Sequence, residues 1–379
     1  MKIAYIGPAY PWRGGISEFL MNSALKSFQS GHSVKVFSFS KQYPKLIFPG
    51  KDQIDYSKKE FPFPVEQGMI PYNPLTWNKA VKTVLDFKPD LIIFKYWIPF
   101  FAPMYAYMIR KMRKNTKAKM MYILHNIEFH EKWPMAEFLT ALALKHADFL
   151  VTLSSSVYNS VFKILPDFPA QKVIQAFHPN YEIKPLSPEE TDLAFSQLDI
   201  PKKKTALFFG YIKHYKGLDI LINAFRKVVD HNPDIQLLIA GEVYGNDQVY
   251  HNLIKENNLS DHVIFHNHFI HNDDIPKYFA VADVVVQPYR SATQSGISLL
   301  AFSYHKPVIS TQTGALDEIV KANQNGILVP VENPDALAQA IIDYFEKYDT
   351  EFMIQFIKNE IEAFSWDSFQ NKILAPVSV

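Results

Sequence analysis

The stretch YRSATQSGISLLAFSYHKPVISTQTGALDE, residues 289–318, decides the predicted fold. It follows three valines at 284–286, which are typical of a buried strand. A polar turn around Gly296 then leads into an apolar run with helical spacing, and residues 308–311 predict the next strand. A second turn of small residues, 313–315, repeats this arrangement. We therefore expect two helix N-termini at one end of a parallel sheet, where exposed N–H groups form an anion site.

The same alternation of apolar strands and amphipathic helices extends in both directions along the 379 residues. A chain of this length exceeds what a single core supports, so we expect two domains. The predicted fold class is α/β, with two Rossmann-like, doubly wound parallel sheets. The expected boundaries are a first domain over 1–180, a linker over 181–202, a second domain over 203–360 and a tail over 361–379 that packs back on the first domain.

The composition excludes several classes of protein. A net charge of +1 argues against a nucleic-acid surface spread over the whole molecule, and the absence of cysteine excludes disulfides and thiol catalysis. The apolar run at residues 1–8 is too short for a signal peptide, so we expect a cytoplasmic location. Residues 91–109 approach the length of a membrane span, but Lys95, Pro99 and Pro103 interrupt them, which favours a buried strand followed by a loop.

A basic cluster follows this apolar stretch. Two interpretations stay open: cations solvated at a helix end, where they suit the helix dipole, or a peripheral contact with the inner face of a membrane. The cluster comprises Arg110, Lys111, Arg113, Lys114, Lys117 and Lys119.

A turn that follows the predicted strand at 207–209 is a candidate anion site. It contains Gly210, Lys213 and Lys216, and the two lysines are three residues apart, so both amines can face one pocket beside the next helix. The alternative is a solvated turn with two ordinary lysines. The turn Gln294-Ser295-Gly296 supplies backbone donors and a hydroxyl ahead of another helix, although it also fits a plain loop.

Four further positions follow predicted strands or open helices. Glu242 and Glu318 lie near strand ends, where a carboxylate can accept hydrogen bonds from ribose or sugar hydroxyls, although a lone glutamate is usually only solvated. The pair Gly14-Gly15 allows a ligand to approach the backbone closely. His125 directly follows the strand at 120–124, at the edge where ligands of such sheets bind.

A metal site is not expected. Glu128, His130 and Glu131 lie near His125 in the sequence, but no second cluster of ligands completes a site.

Short motifs occur in a fixed order along the chain. They are Gly14-Gly15, Gly31-His32-Ser33-Val34, Lys88-Pro89-Asp90-Leu91, the block 210–224 with Lys216-Gly217, Ala282-Asp283-Val284 with Pro288, Lys306-Pro307-Val308-Ile309, residues 314–318, Asn325-Gly326 and Ser365-Trp366. In this order and spacing they resemble the GT-B fold, in which two such domains face each other across a cleft, and more closely the family 4 retaining glycosyltransferases. The resemblance covers nearly the whole chain.

The resemblance implies transfer of a sugar from a nucleotide-sugar donor to a saccharide or lipid-linked saccharide, with retention at the anomeric carbon and no metal or other cofactor. The first domain would then bind the acceptor and the second the donor. It implies catalytic roles for His125, Lys213 and Lys216, which neutralise or approach the reacting groups. The implied donor-binding residues are Gly14, Gly15, Gly210, Glu242, Gln294, Ser295, Gly296, Ile297 and Glu318.

The sequence departs from the family at two places. Many members have two glutamates seven residues apart in the region that corresponds to 292–301, where this chain has Gln294 and Leu300-Ala301. The first phosphate-contacting residue is often Arg, whereas Lys213 cannot form the same bidentate fork. The missing glutamate pair leaves a non-catalytic nucleotide-sugar-binding member open as an alternative. Within enzymes, a GT-B nucleotide-sugar epimerase is the nearest alternative. A two-lobed solute-binding protein is an alternative from another class. Such a protein would normally be exported, and the expected lack of a signal peptide argues against it.

Overall fold

The computed structural model describes residues 1–44, 53–56, 58–127, 135–181, 183, 185–292, 295–314 and 316–377. Strands and helices alternate along the chain. The strands are β1 Lys2–Ile6, β2 Ser33–Phe39, β3 Val65–Met69, β4 Leu91–Tyr96, β5 Lys119–Leu124, β6 Phe149–Thr152, β7 Val173–Gln175, β8 Lys204–Phe209, β9 Ile235–Ala240, β10 Val263–His266, β11 Val284–Gln287, β12 Val308–Thr311 and β13 Gly326–Val329.

Helices connect these strands. The α-helices are α1 Gly15–Gln29, α2 Trp77–Asp86, α3 Ala102–Arg113, α4 Ala136–Leu144, α5 Ser155–Ile164, α6 Pro188–Gln197, α7 Leu218–His231, α8 Gln248–Glu256, α9 Ile275–Val281, α10 Gly296–Ser303, α11 Leu316–Ile319, α12 Pro334–Glu346, α13 Thr350–Ile361 and α14 Trp366–Leu374. Short 3₁₀ helices cover Pro74–Thr76, Pro99–Phe101, Ala170–Lys172, His214–Lys216, Glu362–Phe364 and Ala375–Val377.

The chain divides into two compact units, and the first contains Met1–His178 together with Trp366–Val379. Its sheet has seven parallel strands in the order β3-β2-β1-β4-β5-β6-β7. All six residues of β4 are buried, as expected for a parallel strand that helices cover on both faces. The strand order reverses between β1 and β4, and ligands of such sheets bind outside the carboxyl ends of the strands at this point.

The second unit contains Pro179–Ser365. Its six parallel strands have the order β10-β9-β8-β11-β12-β13, so the order reverses between β8 and β11. β9 is completely buried, and α7 packs beside α12. The two predicted doubly wound parallel sheets are therefore confirmed, and the loops that follow β8 and β11 lie where a ligand is expected.

Several segments differ in detail from the sequence analysis. Residues 181–202, expected as a linker, include α6, which begins with a capping box between Ser187 and Glu190 and packs against α9. Residues 41–75, whose sequence has no clear period, include the edge strand β3.

The tail, expected to pack on the first domain, contributes α14 to the first unit, where the Trp366 ring lies 5.0 Å from that of Phe19.

The apolar stretch at residues 91–109 forms the buried strand β4, a 3₁₀ turn and most of α3. Among the described residues, none of the helices has the length and apolar character that a bilayer crossing requires.

Candidate functional site

The loop that follows β8 in the second unit is held against the end of β11. Gly217 has φ 68°, and a Cβ at this position would lie 2.0 Å from the Pro288 carbonyl oxygen. Only glycine fits both the left-handed conformation and this close approach. The sequence motif Lys216-Gly217 therefore places the Lys216 side chain at the point where the strand order reverses.

Lys216 is buried, with 8% of its surface exposed. A methyl group at Gly210 would lie 3.3 Å from Lys216 Nζ and 3.4 Å from Ile297 Cδ1, so the amine lies near the first turn of α10. Its Nζ is 5.4 Å from the centroid of the Tyr289 ring, and within the described residues it has no carboxylate partner. Burial lowers the pKa of this amine; Tyr215 opposes the shift and Lys213 adds to it.

A buried hydrogen-bond network fixes the N-terminus of α10. The Ser295 hydroxyl oxygen accepts hydrogen bonds from the Ile297 N–H at 3.2 Å and from Gln287 Nε2 at 3.0 Å, and Ser298 Oγ donates to Gln287 Oε1 at 2.7 Å. Ser295 is therefore the N-cap of an eight-residue helix that starts at Gly296. The helix dipole places partial positive charge beside the Lys216 amine.

Arg290 joins the two loops of this site and was not among the predicted site residues. Its guanidinium donates two hydrogen bonds to the Asp219 carboxylate, at 2.8 and 2.7 Å, and a third to the His214 carbonyl at 2.9 Å. The Arg290 N–H also donates to the Tyr215 carbonyl at 2.7 Å. This bidentate pair fixes the loop after β8 relative to the loop after β11. Single arginines in loops carry no sequence signal for such a role.

The remaining predicted residues of the second unit lie around the same end of the sheet. Lys213 is half-buried, with its Nζ 5.9 Å from the centroid of the Tyr244 ring. Glu242 is buried at the end of β9, and its carbonyl accepts from the Ile212 N–H at 2.9 Å. Glu318 is exposed on α11, after β12, one strand further from β8 than β11 is. Gln294 lies outside the described residues.

In the first unit, the predicted residues lie near the reversal between β1 and β4. Gly14 precedes α1 with φ 108°, and Gly15 is the exposed first residue of this helix. His125 follows β5 and is buried; its backbone N–H donates to the Tyr96 carbonyl at 2.9 Å. The Phe19 ring, in the second turn of α1, packs edge to face against the His125 ring at 4.6 Å between centroids. Phe19 thus connects the helix that Gly14 and Gly15 open with the His125 side chain.

His125 contacts a second buried side chain that the sequence analysis treated only as an interruption, Lys95. Burial, and then Lys95 and His178, lower the pKa of His125 well below its ordinary value, so the ring is neutral near pH 7. Glu128, His130 and Glu131 lie outside the described residues. Among the residues that are described, no group of three His, Asp or Glu side chains is placed to hold a metal ion.

The geometry of the second unit suits an anion. Lys216, which is buried and has no carboxylate partner among the described residues, lies beside the capped N-terminus of α10 at the topological reversal of a parallel sheet, and Lys213 is near enough to lower its pKa. In such a place a phosphate meets both a positive charge and backbone N–H groups.

Two protein-family models match the chain. Residues 190–362 match the model described as glycosyl transferases group 1, and residues 25–164 match the model of the starch synthase catalytic domain. The first match spans the candidate anion site, and the second lies in the first unit.

Known proteins and structures agree with these matches. YtcC of Bacillus subtilis strain 168, named as a glycosyltransferase, is 27% identical over 378 residues, which are 95% of this chain and 86% of that protein. The D-inositol 3-phosphate glycosyltransferase of Paenarthrobacter aurescens is 30% identical over 164 residues, 42% of this chain and 40% of that enzyme. Anabaena HepE in complex with UDP superimposes with a TM-score of 0.76 and 19% identity over 100% of both chains. The matched models, the relatives and the shared architecture identify this chain as a glycosyltransferase, an enzyme that transfers sugars, of the GT-B fold.

Proposed function

We propose that this enzyme moves a sugar from a nucleotide-sugar donor to a saccharide or lipid-linked saccharide acceptor, with retention at the anomeric carbon and without a metal ion, as the family 4 enzymes that it resembles do. In this reaction the bond between C1 and the β-phosphate oxygen breaks, and the nucleoside diphosphate keeps the electron pair. An acceptor hydroxyl oxygen forms the new bond to C1, and its proton goes to a phosphate oxygen of the leaving diphosphate. The main electrostatic task is to stabilise the negative charge that develops on the diphosphate.

The buried Lys216 amine is the observation that carries this proposal. Burying an ammonium group costs free energy unless an anion compensates it, and no described carboxylate does so. A bound diphosphate would supply the missing negative charge, and it would also accept hydrogen bonds from the N–H groups at the start of α10. The charge and the helix N-terminus lie together before any ligand arrives, so little reorganisation is required at the moment of reaction.

The other candidate residues take roles around this diphosphate. Lys213 adds a second positive charge, and Gly210 leaves space for the phosphates beside Lys216. Ser295, Gly296 and Ile297 present the helix N-terminus.

The hydroxyl groups of the donor are assigned to carboxylates and an amide. Glu242 and Glu318 would accept hydrogen bonds from ribose or sugar hydroxyls, and Gln294 would contact the sugar. Because Anabaena HepE is described in complex with UDP and with UDP-glucose, these two compounds are the first to test as ligands.

For the first unit we assign the acceptor, with Gly14, Gly15 and His125 contributing to the reaction. A cytoplasmic location, with peripheral contact at the inner face of the membrane through the basic end of α3, completes the proposal. Arg113 in that cluster already pairs with Asp148 at 2.6 Å, which leaves the other five cations for such a contact, namely Arg110, Lys111, Lys114, Lys117 and Lys119. Co-sedimentation of the purified chain with anionic vesicles, compared with neutral ones, tests the membrane contact.

The function is tested with a panel of UDP-, GDP-, ADP- and dTDP-sugars. Calorimetry measures binding of each to the purified chain, with and without EDTA, and NMR follows hydrolysis or transfer and the anomeric configuration of the first product. We expect one base to bind in EDTA and the product to keep the donor's configuration. An inverted product would contradict retention, and isomerised donor without acceptor consumption would indicate an epimerase. Binding without turnover would indicate a non-catalytic member, and no binding of any donor would contradict the proposal.

A further inference from the structure

Lys95 is a lysine, a residue that is ordinarily charged, in a fully buried strand. The reaction proposed above assigns it no role. It lies in β4 and none of its surface is exposed. Its Nζ is 3.0 Å from His125 Nε2 and 3.2 Å from the centroid of the Phe19 ring. Within the part of the chain that the structure describes, no carboxylate pairs with it. The amine therefore has two partners, an imidazole nitrogen and the face of an aromatic ring.

The two contacts define what the amine does. The face of a phenyl ring carries negative charge density and can only accept, so an N–H of Lys95 points at Phe19. The Lys95–His125 contact can run in either direction, because a neutral amine can donate its second N–H to Nε2 or accept an Nε2–H with its lone pair. Donation to Nε2 is favoured, since it uses both amine N–H groups without a buried charge, whereas acceptance leaves one N–H without a partner among the described residues. Burial lowers the pKa of Lys95 well below its ordinary value, in agreement with a neutral amine. A nitrogen that accepts a hydrogen bond carries no proton, so His125 carries its proton on Nδ1.

We propose that Lys95 is a positioning residue for His125: its amine donates to Nε2, fixes the imidazole as the Nδ1–H tautomer and holds the ring against Phe19. His125 then acts in the transfer reaction as a neutral hydrogen-bond donor and not as a general base through Nε2. This inference rests on the proposed function for the role of His125 in transfer; the tautomer is inferred from the Lys95 contacts and does not depend on that role.

Among the described residues, few other titratable groups surround the pair. The helices that pack here contribute Phe19 from α1 and Trp366 from α14, which do not titrate. His178 is the further titratable neighbour, with its ring centroid 6.3 Å from that of His125, and together with Lys95 it lowers the pKa of His125. His178 is present both in the wild type and in the Lys95 variants, so its effect on His125 is common to them.

The tautomer is read by NMR of the full chain labelled with ¹⁵N-histidine, because imidazole nitrogen shifts separate Nδ1–H from Nε2–H and from the cation. The chain has 13 histidines, and a His125→Gln variant assigns the signal. We expect Nδ1–H in the wild type. Lys95→Met keeps the length and removes the donor, so the Nε2–H form should appear and the pKa of His125 should rise by about one unit or more. Lys95→Gln retains an N–H donor and should restore the Nδ1–H form. Lys82→Met, on the exposed face of α2, is the matched control.

Kinetics provide the second readout. With a donor identified as above, Lys95→Met should lower kcat about tenfold through loss of orientation while the donor KM stays within about twofold, and Lys95→Gln should recover most of kcat. An Nε2–H signal in the wild type, or a tautomer and pKa unchanged in Lys95→Met, would overturn the inference. If His125→Gln leaves transfer intact while Lys95→Met still switches the tautomer, the positioning contact stands and the role of His125 in the proposed function fails.

Discussion

Replacing Lys216 with Met tests the candidate anion site at the group that distinguishes it. Met has nearly the same length and volume, so the substitution removes the amine and leaves the packing around Tyr289 and Ile297 in place. Lys227→Met is the matched control, because Lys227 forms an exposed ion pair with Asp335 on the same unit and such pairs contribute little to stability. Both variants keep every backbone N–H of α10.

The magnitude follows from the charge that is lost. An ammonium about 4 Å from one negative charge gains roughly 4 kcal/mol at an effective dielectric constant of about 20. Desolvation of the phosphate and protonation of the amine offset part of this gain, and hydrogen bonds to charged groups contribute about 1.5 to 3 kcal/mol net. We therefore expect Lys216→Met to weaken nucleoside diphosphate binding by about 2 to 3 kcal/mol, or roughly 30- to 150-fold in Kd.

Isothermal titration calorimetry of the full chain with UDP and UDP-glucose, or with the base found in the panel, measures this loss. Denaturant unfolding of the ligand-free variants accompanies it. Replacing a buried amine that lacks a carboxylate partner by an apolar side chain is often neutral or stabilising, so free Lys216→Met should be at least as stable as the wild type. A Kd within twofold of the wild type, in a folded variant, would refute the phosphate role of Lys216.

Three further predictions concern the same two units. Nucleotide affinity should fall as pH rises toward 10.5. Burial lowers the pKa of free Lys216 below that value and a bound diphosphate raises it, so binding takes up a proton wherever the free amine is deprotonated. Titrations from about pH 7 to about pH 10 check that the affinity falls. Gly15→Ala should keep the free energy of unfolding within about 0.5 kcal/mol of the wild type, since an added Cβ meets no atom within 4 Å, yet it should lower the transfer rate about tenfold if a ligand approaches this backbone. A fall in both stability and transfer rate would contradict this prediction. Arg290→Lys should lose the bidentate hydrogen bonds to Asp219, destabilise the protein by about 1 to 2 kcal/mol and weaken nucleotide binding. An unchanged free energy of unfolding and an unchanged Kd by calorimetry would show that the two loops do not need this ion pair.

The sequence predicts most of this architecture because parallel strands buried on both faces are nearly continuous apolar runs. β4, β9 and β11 are such runs, and each is preceded or followed by a helix with one apolar face. The strand β3, VEQGM, escapes the prediction because it lies at the sheet edge with only its last residue buried. Its pairing with β2 is a tertiary property, and its own composition resembles that of a loop.

The site is predictable to the extent that its residues follow strands. Gly210, Lys216, Ser295 and Gly296 can be placed at one edge from the order of strands and helices alone. The burial of Lys216 cannot be predicted in this way, since a lysine in a turn is most often solvated. It depends on the packing of this loop against the end of β11, where a Cβ at Gly217 would collide with the Pro288 carbonyl. The Arg290 contact joins residues 71 positions apart, and no local pattern encodes a pair at that separation.

The two buried lysines differ in one respect, which is whether the amine has hydrogen-bonding partners within the chain. Lys95 and Lys216 are 0% and 8% exposed, and neither has a carboxylate partner among the described residues. Packing alone would favour an apolar side chain at both positions, so both require another explanation. The Lys95 amine already has an imidazole acceptor at 3.0 Å and a ring face at 3.2 Å, which use the two N–H groups of its neutral form. Within the described part of the chain, the Lys216 amine has only the distant face of Tyr289, at 5.4 Å. Its donors would serve the proposed anion, whereas those of Lys95 are committed to His125 and Phe19.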